Sequence, residues 1–386
     1  MKHHRFRQFF LIVLFLSIIY FPLLNVKNTF LKDTENTENR QPAPMPVLSL
    51  KKLDPFPLQF ERYYSDHFSL RQRLMKSYYD FNLALYHKTP NPDQVVIGKN
   101  NWLFYGGNEV DTYTGKNRLT QEELQTLTKE LEYRKQFLAS LGTQFFFVVA
   151  PIKSSVYSAF FPENFIQLNK ESIGLQLVRY LSENSSVNCI NLFDLFGENG
   201  QQDLLYYKND NHWNQKGAFM ASQMIVQKIH HEFPQIPSIQ SESMEIKTTT
   251  ATTGNLTKML SNTTLFTDTL FELIPKNGFK SKEQPLVGYP VVDGFPYPWE
   301  YEMVRETGDT SLPRLLIISD SFGGHIFPFL SESFSRTVKI FDSWQYKLNE
   351  EIVASEKPDI VILIVLESNL RNMFDYLSID HKSQKK

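Results

Sequence analysis

The stretch "NDNHWNQKG", from Asn209 to Gly217, places an acid and a base two residues apart just before a predicted helix. Side chains two apart in an extended segment face the same side, so the Asp210 carboxylate can orient the His212 ring. Asn214 suits the N-cap of a helix that begins at Gln215. The positive helix end disfavours a histidine cation, which leaves the imidazole free to accept a proton. The pattern indicates a catalytic acid–base pair; the alternatives are a capped turn without chemistry and a metal site, and the metal site is the poorer because no third ligand lies nearby.

A second group of reactive side chains lies in "RLLIISDSFGGH", residues 314–325. An apolar strand ends there at Ser319, Asp320 and Ser321, and a Gly-containing turn and a helix follow. In an open α/β sheet the reacting groups lie on loops at the carboxyl ends of strands. A serine at this turn has free helix N–H groups beside it, which suits a nucleophile attacking a carbonyl. The alternative is that one of the three residues only caps the helix; His325, four residues after Ser321, is a rival base.

Other side chains could contact a substrate or only pack. Lys153 in "APIKSS" and Trp102 in "NWLFY" could line a groove, although packing or a solvated charge explains them equally well. Arg371 forms most simply a helical ion pair with Glu367, and a substrate contact is the alternative. For Trp213, packing in the core is a more common role than stacking on a sugar ring.

Five continuous apolar runs predict strands that are buried on both faces of a parallel sheet. They are "QFFFVVAP", "VNCINLFDLF", "RLLIISD", "RTVKIFD" and "DIVILIVL". Helical patterns alternate with them, at 172–184 and 215–233 among others, and residues 120–141 open on a capping box. Residues 60–86 are also helical, and "QVVIGKNNWLFYGG" predicts two strands joined by a turn. We therefore predict a doubly wound α/β sheet flanked by helices over residues 60–386, interrupted by an insertion of loops and short strands at about 237–313.

The N-terminus predicts a membrane anchor. "MKHHRFRQ" is basic, and the apolar run "FFLIVLFLSIIYFPLL" follows it without an evident cleavage site. An uncleaved signal-anchor over residues 1–26 is favoured over a cleaved signal peptide, with the rest of the chain outside the cytoplasm. Residues 27–59 then form a linker.

Composition limits the remaining classes. The formal net charge of the 386 residues is -2, which argues against a nucleic acid as the partner. The single cysteine, Cys189, excludes an internal disulfide and a thiolate metal cluster. Aromatic residues make up 14% of the chain, and most of them are expected in the core.

Several motifs, taken in order, resemble the alginate O-acetyltransferase (AlgX/AlgJ) and DHHW families of SGNH hydrolase-like proteins. "DNHWN" is similar to their D-x-H-W motif, and "SDSFG" to the G-D-S motif, with Ser319 where glycine is usual. Further matches are "GKNNWLFY", "APIKSSVY", "GNLTKML" and "ESNLR", which spread over most of the chain beyond the anchor. The G-x-N-D block of SGNH hydrolases is not visible.

The resemblance implies an SGNH-like fold and a Ser–His–Asp triad for O-acetyl transfer onto an extracytoplasmic polysaccharide. It assigns Ser321 as nucleophile, His212 as general base and Asp210 as the acid that orients it. The N–H of Ser321 would bind the oxyanion, with that of Gly323 as a candidate partner; the other oxyanion donor is unassigned because the G-x-N-D block is missing. A membrane-bound O-acyltransferase would supply the acyl group, and no cofactor or metal is implied.

Two other functions are compatible with the same residues. An acetylesterase would share the triad and differ only in whether water or a sugar resolves the acyl-enzyme. A non-catalytic polysaccharide-binding subunit would keep the fold; Ser319 and the missing block favour it, whereas the intact Asp210, His212 and Ser321 argue against it.

Overall fold

The protein is described by a computed structural model that covers residues 2–25, 30–33, 42–49, 54–261, 263–291, 295–342 and 345–379. The chain divides into two compact units. One consists of residues 1–91 and 257–265, and the other of residues 92–256 and 266–386.

The first unit is helical at its N-terminal side, with α1 (Lys2–Leu24), α2 (Phe56–His67) and α3 (Arg71–Tyr86). The helical pattern predicted over 60–86 is thus two helices, because the chain turns at Leu70, whose φ of 64° is left-handed. In the part of the chain that the structure describes, no helix is long and apolar enough to cross a membrane. The anchor therefore stays a prediction, and the predicted linker lies partly outside the described residues.

The second unit is built on a seven-stranded sheet and also contains two separate antiparallel pairs of strands. The strands in chain order are β1 (Val95–Ile97), β2 (Leu103–Tyr105), β3 (Gln144–Ala150), β4 (Asn188–Asn191), β5 (Met244–Ala251), β6 (Asp268–Pro275), β7 (Lys282–Glu283), β8 (Glu302–Glu306), β9 (Leu315–Ser319), β10 (Arg336–Phe341) and β11 (Ile360–Leu366). The large sheet has the order β4-β3-β11-β9-β10-β8-β7, while β1 pairs with β2 and β5 with β6. All five predicted strands are present and parallel. Burial on both faces is confirmed for β3, β9, β10 and β11, but β4 is an edge strand in which only Ile190 is buried, and the end of its predicted run belongs to a helix. β8 and β7, from the predicted insertion, extend the sheet antiparallel.

Helices cover both faces of this sheet. They are α4 (Asn108–Thr114), α5 (Gln121–Ser140), α6 (Lys153–Val156), α7 (Ile173–Asn184), α8 (Phe193–Asn199), α9 (Gln215–His230), α11 (Phe322–Leu330) and α12 (Glu350–Glu356). A further short helix, α10 (Asn255–Met259), belongs partly to each unit. Single 3-10 turns lie at Lys99–Asn101, Ser158–Phe160, Ser241–Ser243, Pro298–Glu300 and Ser331–Ser333, and a longer 3-10 helix spans Glu367–Asp375. The predicted capping box of α5 is present, with Thr120 and Glu123 exchanging hydrogen bonds.

The apolar strands divide their side chains between two cores, as the period of two dictates. In β3, Phe146 and Val148 pack with α9 and α11 on one face. Phe145 and Phe147 pack with α5 and α7 on the other. The carboxyl ends of β3, β9 and β11 meet at one edge of the sheet, and the segments that follow them carry the polar groups of the candidate site.

Candidate active site

The loop before α9 is folded back on itself by main-chain contacts. Tyr206 and Trp213 form an isolated antiparallel bridge, and the N–H of Tyr207 donates to the His212 carbonyl at 3.2 Å. As predicted, Asn214 caps α9: its side-chain oxygen accepts from the N–H groups of Lys216 and Gly217. This compact turn, residues 206–213, is called the acid–base loop below, and it presents Asp210 and His212 together.

Asp210, His212 and Ser321 form a continuous chain of hydrogen bonds. A carboxylate can only accept, so His212 Nδ1–H donates to Asp210 Oδ1, at 2.7 Å. His212 Nε2 is then free to accept from the Ser321 hydroxyl, also at 2.7 Å. An imidazole held in this way can take the serine proton while the carboxylate stabilises the cation that forms. The arrangement is one for nucleophilic attack by Ser321 on an acyl carbonyl.

The Asp210 carboxylate accepts hydrogen bonds from several N–H groups. Besides the His212 ring, the His212 N–H donates to Oδ1 at 3.1 Å, and the Asn255 N–H donates to Oδ2 at 2.8 Å. Burial on its own raises the pKa of Asp210, but the His212 charge and ring hydrogen bond, with those two N–H groups, outweigh it and hold the pKa well below the ordinary value. Asp210 is therefore ionised when His212 must receive a proton.

Ser321 is held by the turn between β9 and α11. The preceding Asp320 is buried, and its Oδ2 accepts from the Tyr346 hydroxyl at 2.8 Å and the Leu366 N–H at 2.7 Å. Its Oδ1 accepts from the Phe322 N–H at 3.0 Å. Burial raises the pKa of Asp320, although these three donors oppose it. Asp320 thus links the end of β9 to the end of β11 and fixes the backbone beside the nucleophile.

The side chain of Ser319 lies so close to Gly323 that position 323 has no room for a Cβ atom. A Cβ built on Gly323 would lie 1.9 Å from Ser319 Oγ and 2.5 Å from Ser319 Cβ. The N–H of Gly323 donates to the Asp320 carbonyl at 3.2 Å, so it is engaged in the turn. The role of Gly323 as a second oxyanion donor stays a prediction. Position 323 needs glycine because Ser319 stands where its side chain would be.

The N–H of Ser321 has no acceptor among the residues that the structure describes. It lies at the N-terminus of α11, where backbone N–H groups lack partners within the helix. The predicted first oxyanion donor is thus available, although its role stays a prediction.

His325 does not replace His212 as base. Its ring packs against the His212 ring with the two centroids 5.1 Å apart. Burial, followed by the His212 charge, lowers its pKa to about 3, with Asp210 acting the other way. The Ser321 hydroxyl bonds to His212, so His325 is a neutral ring that covers the base.

Three side chains predicted as possible substrate contacts are structural. Trp213 is fully buried, with its ring packed on Phe196 and edge-on to Phe322, so it cannot stack on a sugar. Lys153 is equally buried and does not line a groove. Trp102 is buried as well, 3% exposed, which settles its ambiguity in favour of packing.

Arg371 pairs with a partner different from the one expected. Its guanidinium donates to both carboxylate oxygens of Glu123, at 2.7 and 3.2 Å, and to the carbonyls of Asn117 and Arg118. The predicted ion pair with Glu367 is wrong because Glu367 is buried, where it accepts from the Ile152 N–H at 2.9 Å. Arg371 ties the last 3-10 helix to the start of α5 and lies outside the hydrogen-bond chain of the site.

Glu109 is a buried acid that the sequence did not single out. It is 3% exposed, and its Oε2 has no hydrogen-bond partner among the described residues. Burial raises its pKa to about 8, the charge of Lys153 lowers it, and Glu367 and Asp210 raise it further. Its carboxyl group is therefore mostly protonated at neutral pH.

A cavity of about 330 Å³ opens beside the first turn of α11. Gly324, three residues after Ser321, forms part of its wall, and a Cβ there would meet nothing within 4 Å. Phe279 and Phe329 form an aromatic side whose ring centroids are 6.2 Å apart. His325, whose ring packs against the His212 ring, also lines the cavity, whereas Ser321 and His212 do not.

The chain is similar in sequence or fold to several known proteins. Residues 95–284 match the family model described as the SGNH hydrolase-like domain of the acetyltransferase AlgX. Among solved structures, Bacillus cereus PatB1 with a sulfonyl adduct shares 20% identity and a TM-score of 0.51, covering 72% of this chain and 97% of its own. A DHHW family protein from Eubacterium siraeum shares 16% identity and a TM-score of 0.50, covering 74% of this chain and 99% of its own. These two structures establish the fold.

The O-acetyltransferase domain of Pseudomonas putida AlgJ is also similar, with 16% identity and a TM-score of 0.49 over 75% of this chain and 98% of its own. No curated protein sequence matches the chain.

Proposed function

We propose that this protein transfers O-acetyl groups to a polysaccharide through an acetyl-Ser321 intermediate, a proposal supported by the match of residues 95–284 to the SGNH hydrolase-like acetyltransferase domain of AlgX. The observation that carries the proposal is the hydrogen-bond chain from Asp210 through His212 to Ser321, with both side-chain distances at 2.7 Å.

The first half of the reaction forms the acyl-enzyme. Ser321 Oγ attacks the acetyl carbonyl carbon of the donor while His212 Nε2 takes the hydroxyl proton. The N–H of Ser321 donates to the oxyanion of the tetrahedral intermediate. That intermediate collapses by breaking the bond to the leaving group, which receives the proton from His212.

The second half repeats these steps with a sugar hydroxyl. His212 takes the proton of the hydroxyl, the oxygen attacks the acetyl carbon, and Ser321 leaves with the proton. The cavity beside Gly324 offers room for one sugar ring, and its aromatic side suits the apolar face of such a ring. We propose that the acceptor enters there, so that the hydroxyl approaches Ser321 along the first turn of α11.

The placement in the cell and the donor are proposals based on the N-terminal sequence and the family resemblance. The N-terminal segment would anchor the chain in the bacterial cytoplasmic membrane, with residues 60–386 on the periplasmic or extracellular side. A membrane-bound O-acyltransferase would supply the acetyl group. Membrane fractionation of the full chain and of a chain lacking residues 1–26 tests the anchor: only the full chain should stay in the membrane pellet after an alkaline wash.

The acyl-enzyme is the sharpest test of the chemistry. Protein incubated with an activated acetyl ester should gain one acetyl group by intact mass, and peptide mapping should place it on Ser321. Ser319→Ala is the matched control, since it removes a serine hydroxyl two residues away and should still acquire the label. Acetylation at the same peptide in Ser321→Ala would refute the proposal.

Transfer is distinguished from hydrolysis by the fate of the acetyl group. With an oligosaccharide acceptor present, acetate release should fall and acetylated oligosaccharide should appear. Unchanged acetate release with no acetylated sugar would indicate an esterase, and no turnover at all would indicate a binding subunit.

A further inference from the structure

Lys153 is a buried cation directed at the acid–base loop. It begins α6, just beyond the end of β3, and its side chain is fully buried. Its Nζ donates to three main-chain carbonyls of one loop: Tyr207 at 2.9 Å, Lys208 at 3.1 Å and Asp210 at 2.7 Å. All three acceptors lie within four consecutive residues that end at the proposed catalytic acid.

The number of acceptors matches an ammonium group. A protonated lysine has three N–H donors, whereas a neutral amine has two. The aromatic faces of Trp102 and Phe104 lie 5.7 and 5.1 Å from Nζ, which suits a cation. Burial, the largest influence, lowers the pKa of Lys153 to about 7, while the Asp210 carboxylate, followed by the other acids nearby, favours the charged form.

Burying an ammonium group costs several kcal/mol unless hydrogen bonds and charges offset it. Here all three N–H donors of Lys153 bind carbonyls of a loop rather than those of a helix or strand. Beyond the bridge between Tyr206 and Trp213, other segments hold the middle of the acid–base loop: the Leu103 N–H donates to the Lys208 carbonyl at 3.0 Å, and the Leu256 N–H donates to the Asn209 carbonyl at 3.1 Å. Lys153 adds the bonds to the carbonyls on either side, those of Tyr207 and Asp210. Lys153 therefore helps to fix the main chain between the bridge and Asp210.

We propose that Lys153 is a positioning residue that holds Asp210 in register with His212, so that the imidazole keeps the orientation needed to accept the Ser321 proton. The inference deepens the proposed function and rests on it for the kinetic readout, while the hydrogen bond between Asp210 and His212 can be measured without it. Removing the ammonium group takes this donor from the Tyr207 and Asp210 carbonyls, while the Lys208 carbonyl keeps the Leu103 N–H at 3.0 Å. The Asp210 peptide then loses the contact that orients its carbonyl.

The test compares Lys153→Met with a matched control, Thr143→Val. Thr143 precedes the other end of β3, is buried, and donates to the Pro358 carbonyl at 2.7 Å, so its replacement also removes a buried side-chain hydrogen bond to a carbonyl. Two readouts are needed. The low-field proton NMR resonance of His212 Nδ1–H, assigned by its loss in His212→Gln, reports the Asp210–His212 bond. Steady-state kinetics separate kcat from KM.

We expect Lys153→Met to lose or broaden the low-field resonance and to lower kcat about 100-fold with little change in the KM for the acetyl donor, because small displacements of catalytic groups have effects of that size. Thr143→Val should keep the resonance and kcat even if it unfolds at lower urea concentration. A Lys153→Met protein that retains the resonance and a kcat within about threefold of wild type would overturn the proposal.

If Lys153→Met does not fold, two further variants test the same proposal. Lys153→Arg keeps the charge and several donors, and Lys153→Gln keeps two donors without the charge. Resonance intensity and kcat should fall from wild type to arginine to glutamine, and equal values for the two variants would overturn the proposal. If the wild-type chain transfers no acetyl group but the resonance still depends on Lys153, the positioning role stands and the proposed function fails.

Discussion

The contact between Ser319 and Gly323 gives a prediction that can be worked out from distances. In Gly323→Ala the new Cβ would lie 1.9 Å from Ser319 Oγ and 2.5 Å from Ser319 Cβ, separations that no pair of unbonded atoms tolerates. Ser319 is fully buried and ends β9, so it cannot move aside without disturbing the turn that carries Ser321. In Ser319→Gly both obstructing atoms are gone, and the next neighbour of the new Cβ is Lys339 Cε at 3.6 Å, an ordinary contact.

The magnitude follows from two opposed effects. Overpacking a close-packed site costs about 1–3 kcal/mol of unfolding free energy. Replacing a helical glycine by alanine returns about 0.5–1 kcal/mol. Gly323→Ala should therefore destabilise wild type by about 0.5–2 kcal/mol but be neutral or stabilising in Ser319→Gly, and the coupling free energy should be about 1–3 kcal/mol, since the helix effect cancels in the cycle.

Urea unfolding of wild type, the two single variants and the double variant measures the coupling free energy. The rate at which an activated ester acetylates Ser321 reports the geometry of the turn that carries this serine. Acetylation should slow in Gly323→Ala and recover in the double variant, because the backbone returns to its place. Additive stabilities, with a coupling below about 0.5 kcal/mol, would refute the steric argument.

Three further predictions concern the acid–base groups and the cavity. His325→Phe should keep kcat within about tenfold of wild type, whereas His212→Gln should lower it by at least about 10³-fold, and the reverse order would make His325 the base. Because burial raises the pKa of Glu109 from 4.5 to about 8, its contribution to stability is complete below pH 4.5 and is lost as the pH rises through 8. Glu109→Gln should thus flatten this decline by about 2–4 kcal/mol in urea unfolding across pH 5–9, and parallel curves for the two proteins would contradict the shift. Gly324→Val should raise the KM for an oligosaccharide acceptor at least about tenfold without slowing acyl-enzyme formation. Gly197→Val, at another open helical glycine, is its control; equal effects would exclude the cavity.

Much of the fold follows from local pattern. The continuous apolar runs of β3, β9, β10 and β11 are long enough to predict strands buried on both faces, and their burial is almost complete. The pairing of Asp210 with His212 could also be predicted from the sequence, because their spacing and the Asn214 cap are local features. The convergence of Ser321 on them depends on the order of the strands, and the sequence alone does not fix that order.

What the sequence missed depends on contacts between distant segments. The sequence left Lys153 open between a groove contact and packing or a solvated charge, because nothing local shows that its amine donates to three carbonyls of another loop. Arg371 was paired with Glu367 at helical spacing, yet the segment is a 3-10 helix and the nearest available carboxylate belongs to Glu123. The glycine at 323 could have been linked to Ser319 only by knowing how closely β9 and α11 approach.

The backbone N–H of Asn255 donates to the Asp210 carboxylate, so a shortened version of this chain has to keep Asn255. Gly254 approaches Asn209 so closely that a Cβ would lie 2.4 Å from its carbonyl oxygen, and the Leu256 N–H donates to that same oxygen at 3.1 Å. A minimal version that spliced residue 236 to residue 314 would strip one carboxylate oxygen of its backbone partner. Anyone grafting this catalytic unit onto another scaffold would have to carry residues 254–256 with it, however dispensable the neighbouring sequence looks.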